Sequence, residues 1–148
     1  MTPKQVSYTF ESTLETVNDA EERAGRVAAE AGFSDDDVMS ISMAVREAAV
    51  NAVLHGNAYD PTKKVTLAFE QNGKDLTIVV RDQGKGVNLD AIPDCCAPEN
   101  LLKQSGRGIF LMRSLMDEVQ INPSPAGTEV KLIKHFPGTA GNFQEASH

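Results

Sequence analysis

Apolar and polar side chains alternate from residue 5 to 11, Gln-Val-Ser-Tyr-Thr-Phe-Glu, the period-two pattern of a strand with one buried face. The period changes at Ser12. Ser12 and Glu15 have the spacing of a capping box. Leu14, Val17, Ala20, Ala24, Val27, Ala28 and Ala31 follow at helical spacing, predicting a helix that Gly32 ends as a C′ residue. Ser34 with Asp37 opens a second helix, and Asp35 to Asp37 suit the positive end of its dipole. Val38, Ile41, Val45, Ala48 and Ala52 set the buried face of that helix, and Gly56-Asn57 closes it.

Two β-rich runs come next, 63–69 and 75–81, joined at Gln71-Asn72-Gly73-Lys74. Asn72-Gly73 is a strong two-residue hairpin signal. Residues 82–105 are rich in Gly, Pro, Asn and Asp and carry little periodicity; a loop of that length inside a compact domain reads as a functional lid. A short helix is expected over 108–115, then strands over 118–122 and 128–135, joined by Pro123-Ser124-Pro125-Ala126-Gly127. The tail, 137–148, is small and polar and reads as flexible. This order is not an alternating βαβ series. It predicts one domain over residues 1–136, an α/β two-layer sandwich with a mixed, mainly antiparallel sheet and its helices on one face.

Charge and composition narrow the partners. A net charge of −7 disfavours generic binding to nucleic acid or anionic membranes, so an anionic ligand would need donors of its own at a local site. No apolar run approaches the roughly 20 residues that span a bilayer, and no apolar segment follows the first five residues as a signal peptide would require. Cys95 and Cys96 are the only cysteines, too few for a disulfide framework or a structural zinc site. The expected compartment is the cytoplasm.

Three clusters carry candidate chemistry. Glu47 and Asn51 lie four residues apart on the second helix and share a face, which His55 continues with some angular drift. Such a pair is either a solvent stripe or a site: an Asn51 oxygen suits Mg²⁺ beside phosphates, and Glu47 suits a general base. Asp82-Gln83-Gly84-Lys85-Gly86 follows a strand. It reads as a strand-ending turn, or as a carboxylate accepting from the adenine amine while Gly84 and Gly86 let backbone approach the base. Ser105-Gly106-Arg107-Gly108-Ile109 precedes a helix, where free N–H groups and the dipole favour phosphate and Arg107 could add a charge-assisted bond. No P-loop motif occurs, and the first strand-to-helix junction lacks the glycines of a dinucleotide site.

In this order and on these elements, the clusters resemble the N, G1 and G2 boxes of the GHKL ATPase superfamily, whose ATP-binding domain has the Bergerat fold. Gly127-Thr128 resembles its fourth signature, in which a threonine holds adenine through water. The segments 45–57 and 106–112, the latter followed by Met116-Asp117-Glu118-Val119, look most like the small anti-sigma-factor serine/threonine kinases. That resemblance implies ATP and Mg²⁺ as cofactors, a sigma factor and a STAS-type anti-anti-sigma protein as partners, and a homodimer formed through the N-terminal strand. By position it makes Glu47 the base, Asn51 the Mg²⁺ ligand and Asp82 the reader of adenine. Gly84, Gly86, Gly106 and Gly108 would shape the pocket, and Arg107 would contact phosphate. Arg23 and Arg26 are candidates for gripping the antagonist, or else belong to a solvated helix face. A module that binds ATP without phosphoryl transfer, and a signalling ATPase with no sigma-factor link, are the competing readings.

Overall fold

A computed structural model describes residues 4–58, 60–84 and 108–137. The candidates Gly86, Gly106 and Arg107, most of the expected lid, and all but the first residue of the tail lie outside them. Within them, five strands form one sheet: β1 (Lys4–Glu11), β2 (Lys64–Gln71), β3 (Asp75–Arg81), β4 (Glu118–Ser124) and β5 (Gly127–His135), in spatial order β1-β2-β3-β5-β4. All four pairings are antiparallel, so the expected antiparallel character holds for the whole described sheet. Helices α1 (Leu14–Glu30) and α2 (Asp35–Val50) pack against each other, with α2 also against β3 and β5. A third helix, α3, covers 108–115.

The alternation read in the sequence becomes two faces. Val65, Leu67 and Phe69 of β2, Leu76, Ile78 and Val80 of β3, and Val130 and Leu132 of β5 are buried with Val17, Ala20, Ala24 and Ala28 of α1. Ile41, Ala44, Val45, Ala48 and Ala49 of α2 and Met112 of α3 complete that layer. Each large side chain so buried contributes roughly 1.5–3 kcal/mol relative to exposure. Small residues dominate the helical side, letting the two long helices approach closely enough to cover the sheet. Leu14, expected on the buried face of α1, is instead 63% exposed, because it is the first residue of the helix and precedes the point where the helix meets the core.

The helix ends follow local chemistry, with one correction. Ser34 caps α2 by accepting from the Asp37 N–H. Gly32, at φ 98°, closes α1 while the N–H groups of Gly32 and Phe33 bond back to Ala29 and Ala28, the paired bonds of a Schellman ending. The expected Ser12–Glu15 capping box does not form. Thr13 is the N-cap, accepting from Thr16 N–H, and Ser12 is buried and turned inward, donating to the Lys63 carbonyl at 2.7 Å. The β2–β3 hairpin also forms differently from a primed Asn-Gly turn. Gly73 does not have positive φ; instead the Asn72 side chain accepts from the N–H groups of Lys74 and Asp75, both at 2.7 Å. That side-chain acceptor supplies the turn without the left-handed glycine.

At its C-terminal end α2 changes winding. Asn51–Gly56 is a π-helical turn, and the Asn57 N–H bonds to the Ala52 carbonyl, five residues back, at 2.8 Å. Single π turns inside α-helices occur often at functional sites. This one starts at Asn51.

Candidate functional site

Asp82 follows the last residue of β3, and its surroundings are built from four separate segments. Its backbone N–H donates to the Thr128 carbonyl, and its carboxylate Oδ1 accepts from the N–H groups of both Thr128 and Gly84, each bond 3.0 Å long. The second oxygen, Oδ2, faces the Cα of Gly56, where any β-carbon would collide with it. A β-carbon on Gly84 would in turn strike the Gly56 carbonyl, and one on Gly127 would strike the Asp82 carbonyl. Gly127 also holds φ at 142°, which other residues rarely adopt. Main chain thus packs directly on main chain around one carboxylate. Burial pushes the Asp82 carboxyl above its ordinary value, and the Thr128 and Gly84 N–H groups and the Lys63 charge oppose that shift.

Oδ1 is committed to the protein. Oδ2 makes no hydrogen bond among the described residues, which leaves an acceptor for a ligand's amine at the edge of a half-buried wall.

Glu47 lies one turn before Asn51 on the same helix, and both are half-buried. A β-carbon on Gly108 would collide with the Glu47 carboxylate, so the start of α3 rests against the candidate base. The structure therefore brings the second helix and Gly108 together. Among the described residues, the side chains of Glu47 and Asn51 make no hydrogen bond or ion pair. A half-buried amide oxygen without a partner among the described residues suits a hard cation shared with phosphates. No group of three or more His, Cys, Asp or Glu side chains stands ready to hold a metal among the described residues; Mg²⁺ commonly shares its ligands between protein oxygens and nucleotide phosphates. His55 is exposed near the end of the π turn and joins none of these bonds.

The arginines of α1 stand apart from this cluster. Arg23 stacks on the rings of Tyr8 and Phe10 of β1, 4.3 and 5.5 Å from their centroids, and Arg26 pairs with Glu22 on an exposed face at 3.2 Å. Arg46 of α2, by contrast, reaches back to Asn18 and Glu21 of α1.

Gly56, Asn57 and Gln83 carry a structural weight that their local sequence does not show. Asn57 is only 1% exposed. Its amide nitrogen donates to Ser12 Oγ at 2.8 Å and to the Lys64 carbonyl at 3.0 Å, and its amide oxygen accepts from the Gln83 N–H at 2.8 Å. The only signal was position: Gly56-Asn57 was read as a helix ending, and a buried asparagine two residues past His55 looks the same in sequence as an exposed one.

Comparison with known proteins gives the family. Residues 10–134 match the family model described as the histidine kinase-like ATPase domain. The chain belongs to that family. Its similar proteins include the anti-sigma F factor of Anoxybacillus flavithermus, 35% identical over 104 residues, covering 68% of this chain and 71% of that one. Serine-protein kinase RsbW of Bacillus subtilis is 30% identical over 118 residues, covering 76% and 73%. The RsbU and RsbW domains of a Mycobacterium tuberculosis protein share the fold, with a TM-score of 0.67 at 21% identity. That match covers 90% of this chain, which spans 33% of the larger one. These relatives place the chain in the anti-sigma factor and serine-protein kinase branch of the family. No described helix is long and apolar enough to cross a membrane.

Proposed function

We propose that this protein is an ATP- and Mg²⁺-dependent serine/threonine protein kinase of the anti-sigma-factor type. Its substrate is a hydroxyl of a small STAS-type anti-anti-sigma protein, and it alternates between that protein and a sigma factor, acting in the cytoplasm as a homodimer. One observation carries the reading: Glu47, without a partner among the described residues and pressed against Gly108, sits one helical turn from Asn51. The Asp82 wall presents a separate acceptor for the base. A passive nucleotide binder needs the second feature and has no use for the first.

In the proposed reaction the acceptor hydroxyl oxygen bonds to the γ-phosphorus, and the bond from that phosphorus to the β–γ bridging oxygen breaks. ADP leaves and the hydroxyl proton passes to the Glu47 carboxylate. Bound Mg²⁺ would neutralise phosphate charge. Gly86, Gly106, Gly108 and Arg107 complete the phosphate side in this reading, and Thr128 supports adenine. Arg23 and Arg26 lie on the helix assigned to the antagonist. Their present engagement with Tyr8, Phe10 and Glu22 means that docking there would exchange those contacts. The position of β1 at the sheet edge supports dimerisation through that strand, since an outer strand offers unpaired backbone groups.

Incubation with Mg-ATP and the cognate STAS protein should transfer the γ-phosphate to that protein. Tight ATP binding with no transfer to it would overturn the kinase reading, and phosphate release without a protein acceptor would replace it with an ATPase.

A further inference from the structure

The Asn57 side chain makes three hydrogen bonds inside the fold. Both amide protons and the amide oxygen are used, at 1% exposure. Its partners come from three separate places in the fold: Ser12 at the β1–α1 junction, Lys64 at the start of β2, and Gln83 beyond the end of β3. Ser12 passes the connection on to Lys63, and the Gln83 side chain returns it by accepting from the Lys64 N–H at 2.6 Å. The backbone of Asn57 closes the π turn through Ala52 and accepts from the Asp60 N–H at 2.9 Å.

Gln83 lies between Asp82 and Gly84. Its N–H is held by Asn57, while the neighbouring N–H of Gly84 is held by Asp82 Oδ1. Gly56, immediately before Asn57, is the residue whose Cα meets Asp82 Oδ2 and whose carbonyl meets Gly84. The residue that ends the helix carrying Glu47 and Asn51 therefore also grips the turn carrying Asp82.

We propose that Asn57 is a positioning residue for base recognition, fixing where the Asp82 carboxylate stands relative to the helix that carries the phosphate and metal residues. This rests on the assignment of Asp82 to adenine. Asn57 touches no reacting atom. It sets the distance between the two ends of the nucleotide site, and a shift of the Asp82 turn there misplaces Oδ2 from the adenine amine. A buried amide with every group satisfied is costly to alter, because each partner left behind loses its bond.

The test is Asn57→Asp in the full chain, a near-isosteric change that keeps one acceptor for Gln83 N–H and removes both donors. ATP and GTP affinities are measured by titration calorimetry at fixed Mg²⁺, together with kcat at saturating ATP and the melting temperature. The expected result is a fall in ATP affinity of about tenfold, the scale of one lost hydrogen bond, with a reduced preference for ATP over GTP. At saturating ATP, kcat should stay within about twofold, since Glu47 and Asn51 are unmoved. A loss of stability alone would not change the ATP-to-GTP ratio. A folded variant with unchanged ATP affinity and unchanged preference overturns the proposal. If Asn57→Asp does not fold, Ser12→Ala, which removes one acceptor of the amide nitrogen, carries the test. Weaker ATP binding at constant kcat supports the proposal there, and unaltered binding overturns it. If the wild type binds no adenine nucleotide, the assignment of Asp82 falls first and this inference with it, a result distinct from failure of the variants alone.

Discussion

The two ends of the candidate nucleotide site are built in opposite ways. Around Asp82 almost every polar group is already paired: Oδ1 with two N–H groups, Gln83 with Asn57, Asn57 with Ser12 and Lys64. Around Glu47 and Asn51 the side chains have no polar partner among the described residues, and packing against Gly108 is the contact that places the carboxylate. In the proposed reading, base recognition is prepared by the fold before any ligand arrives, whereas the phosphate end keeps its polar groups unpaired among the described residues. The difference follows from chemistry. An adenine amine is read by one acceptor in a fixed place, which rigidity favours. A metal and a transferring phosphoryl group need oxygens and a base not already spent on the protein.

Substitutions should separate the two ends by the quantity each changes. The largest effect is expected from Asn51→Ala, which removes the proposed Mg²⁺ ligand and should abolish phosphate transfer to the proposed STAS-type substrate. Residual binding of nucleotide without Mg²⁺ dependence in calorimetry would confirm that the adenine end survives. Glu47→Ala should lower kcat by about 10²–10⁴-fold, the range for loss of a general base, with KM for ATP little changed in steady-state assays. An equal rise in KM would erase the distinction between the two ends.

Asp82→Asn tests the other end. The substituted amide still offers an oxygen to the Gly84 and Thr128 N–H groups, so the turn should fold, while an NH₂ group replaces Oδ2 and meets the adenine amine donor to donor. ATP affinity should fall by roughly 10- to 150-fold, the equivalent of a charged hydrogen bond of about 1.5–3 kcal/mol. Acidity sharpens this prediction. Burial raises the Asp82 pKa, so the folded protein holds that proton to higher pH than the unfolded chain. The stability linked to it is complete below the unfolded value and lost as pH rises through the folded one. ATP binding runs the other way, requiring the carboxylate, and wild-type affinity should weaken as pH falls through that raised pKa. Asp82→Asn should abolish this pH dependence in binding titrations.

The smallest effect is expected far from both ends. His135 pairs with Asp75 across β3 and β5, and that hydrogen bond, helped by the Asp117, Asp75 and Glu118 charges, raises its pKa. Its stabilisation is present below the ordinary histidine value and disappears as pH rises through the raised one. His135→Gln should cost a few tenths of a kcal/mol at most in mildly acidic buffer, about the size of a solvent-screened pair. In thermal melts that cost should shrink as pH rises through the raised value, and ATP binding should be unchanged on either side of it.

Much of this was legible in the chain itself. Alternation at 5–11 and 75–81, the Ser34 cap and the Gly32 stop depend on neighbours a few residues away, and the structure places β1, β3 and both helix ends there. The spacing of Glu47 and Asn51, and the Asp82-x-Gly84 turn after a strand, were visible for the same reason. Ser12 misled because a capping box and a buried hydroxyl share one local sequence; which forms depends on Lys63 and Asn57, some fifty residues on. The Asn72-Gly73 turn misled because an asparagine side chain can close a hairpin as well as a left-handed glycine can.

The sequence alone determined the family-defining order of elements and the residue types at the site, since these rest on period and spacing. Only the tertiary structure decided that α2 finishes in a π turn, that Gly56 touches Asp82, and that Asn57 ties both to β2. Gly56 and Asp82 are far apart in the chain, and the π turn and the Asn57–Lys64 bond, though local, lie at that same junction. Their geometry is set by the close approach of backbones, which no local pattern of side chains records.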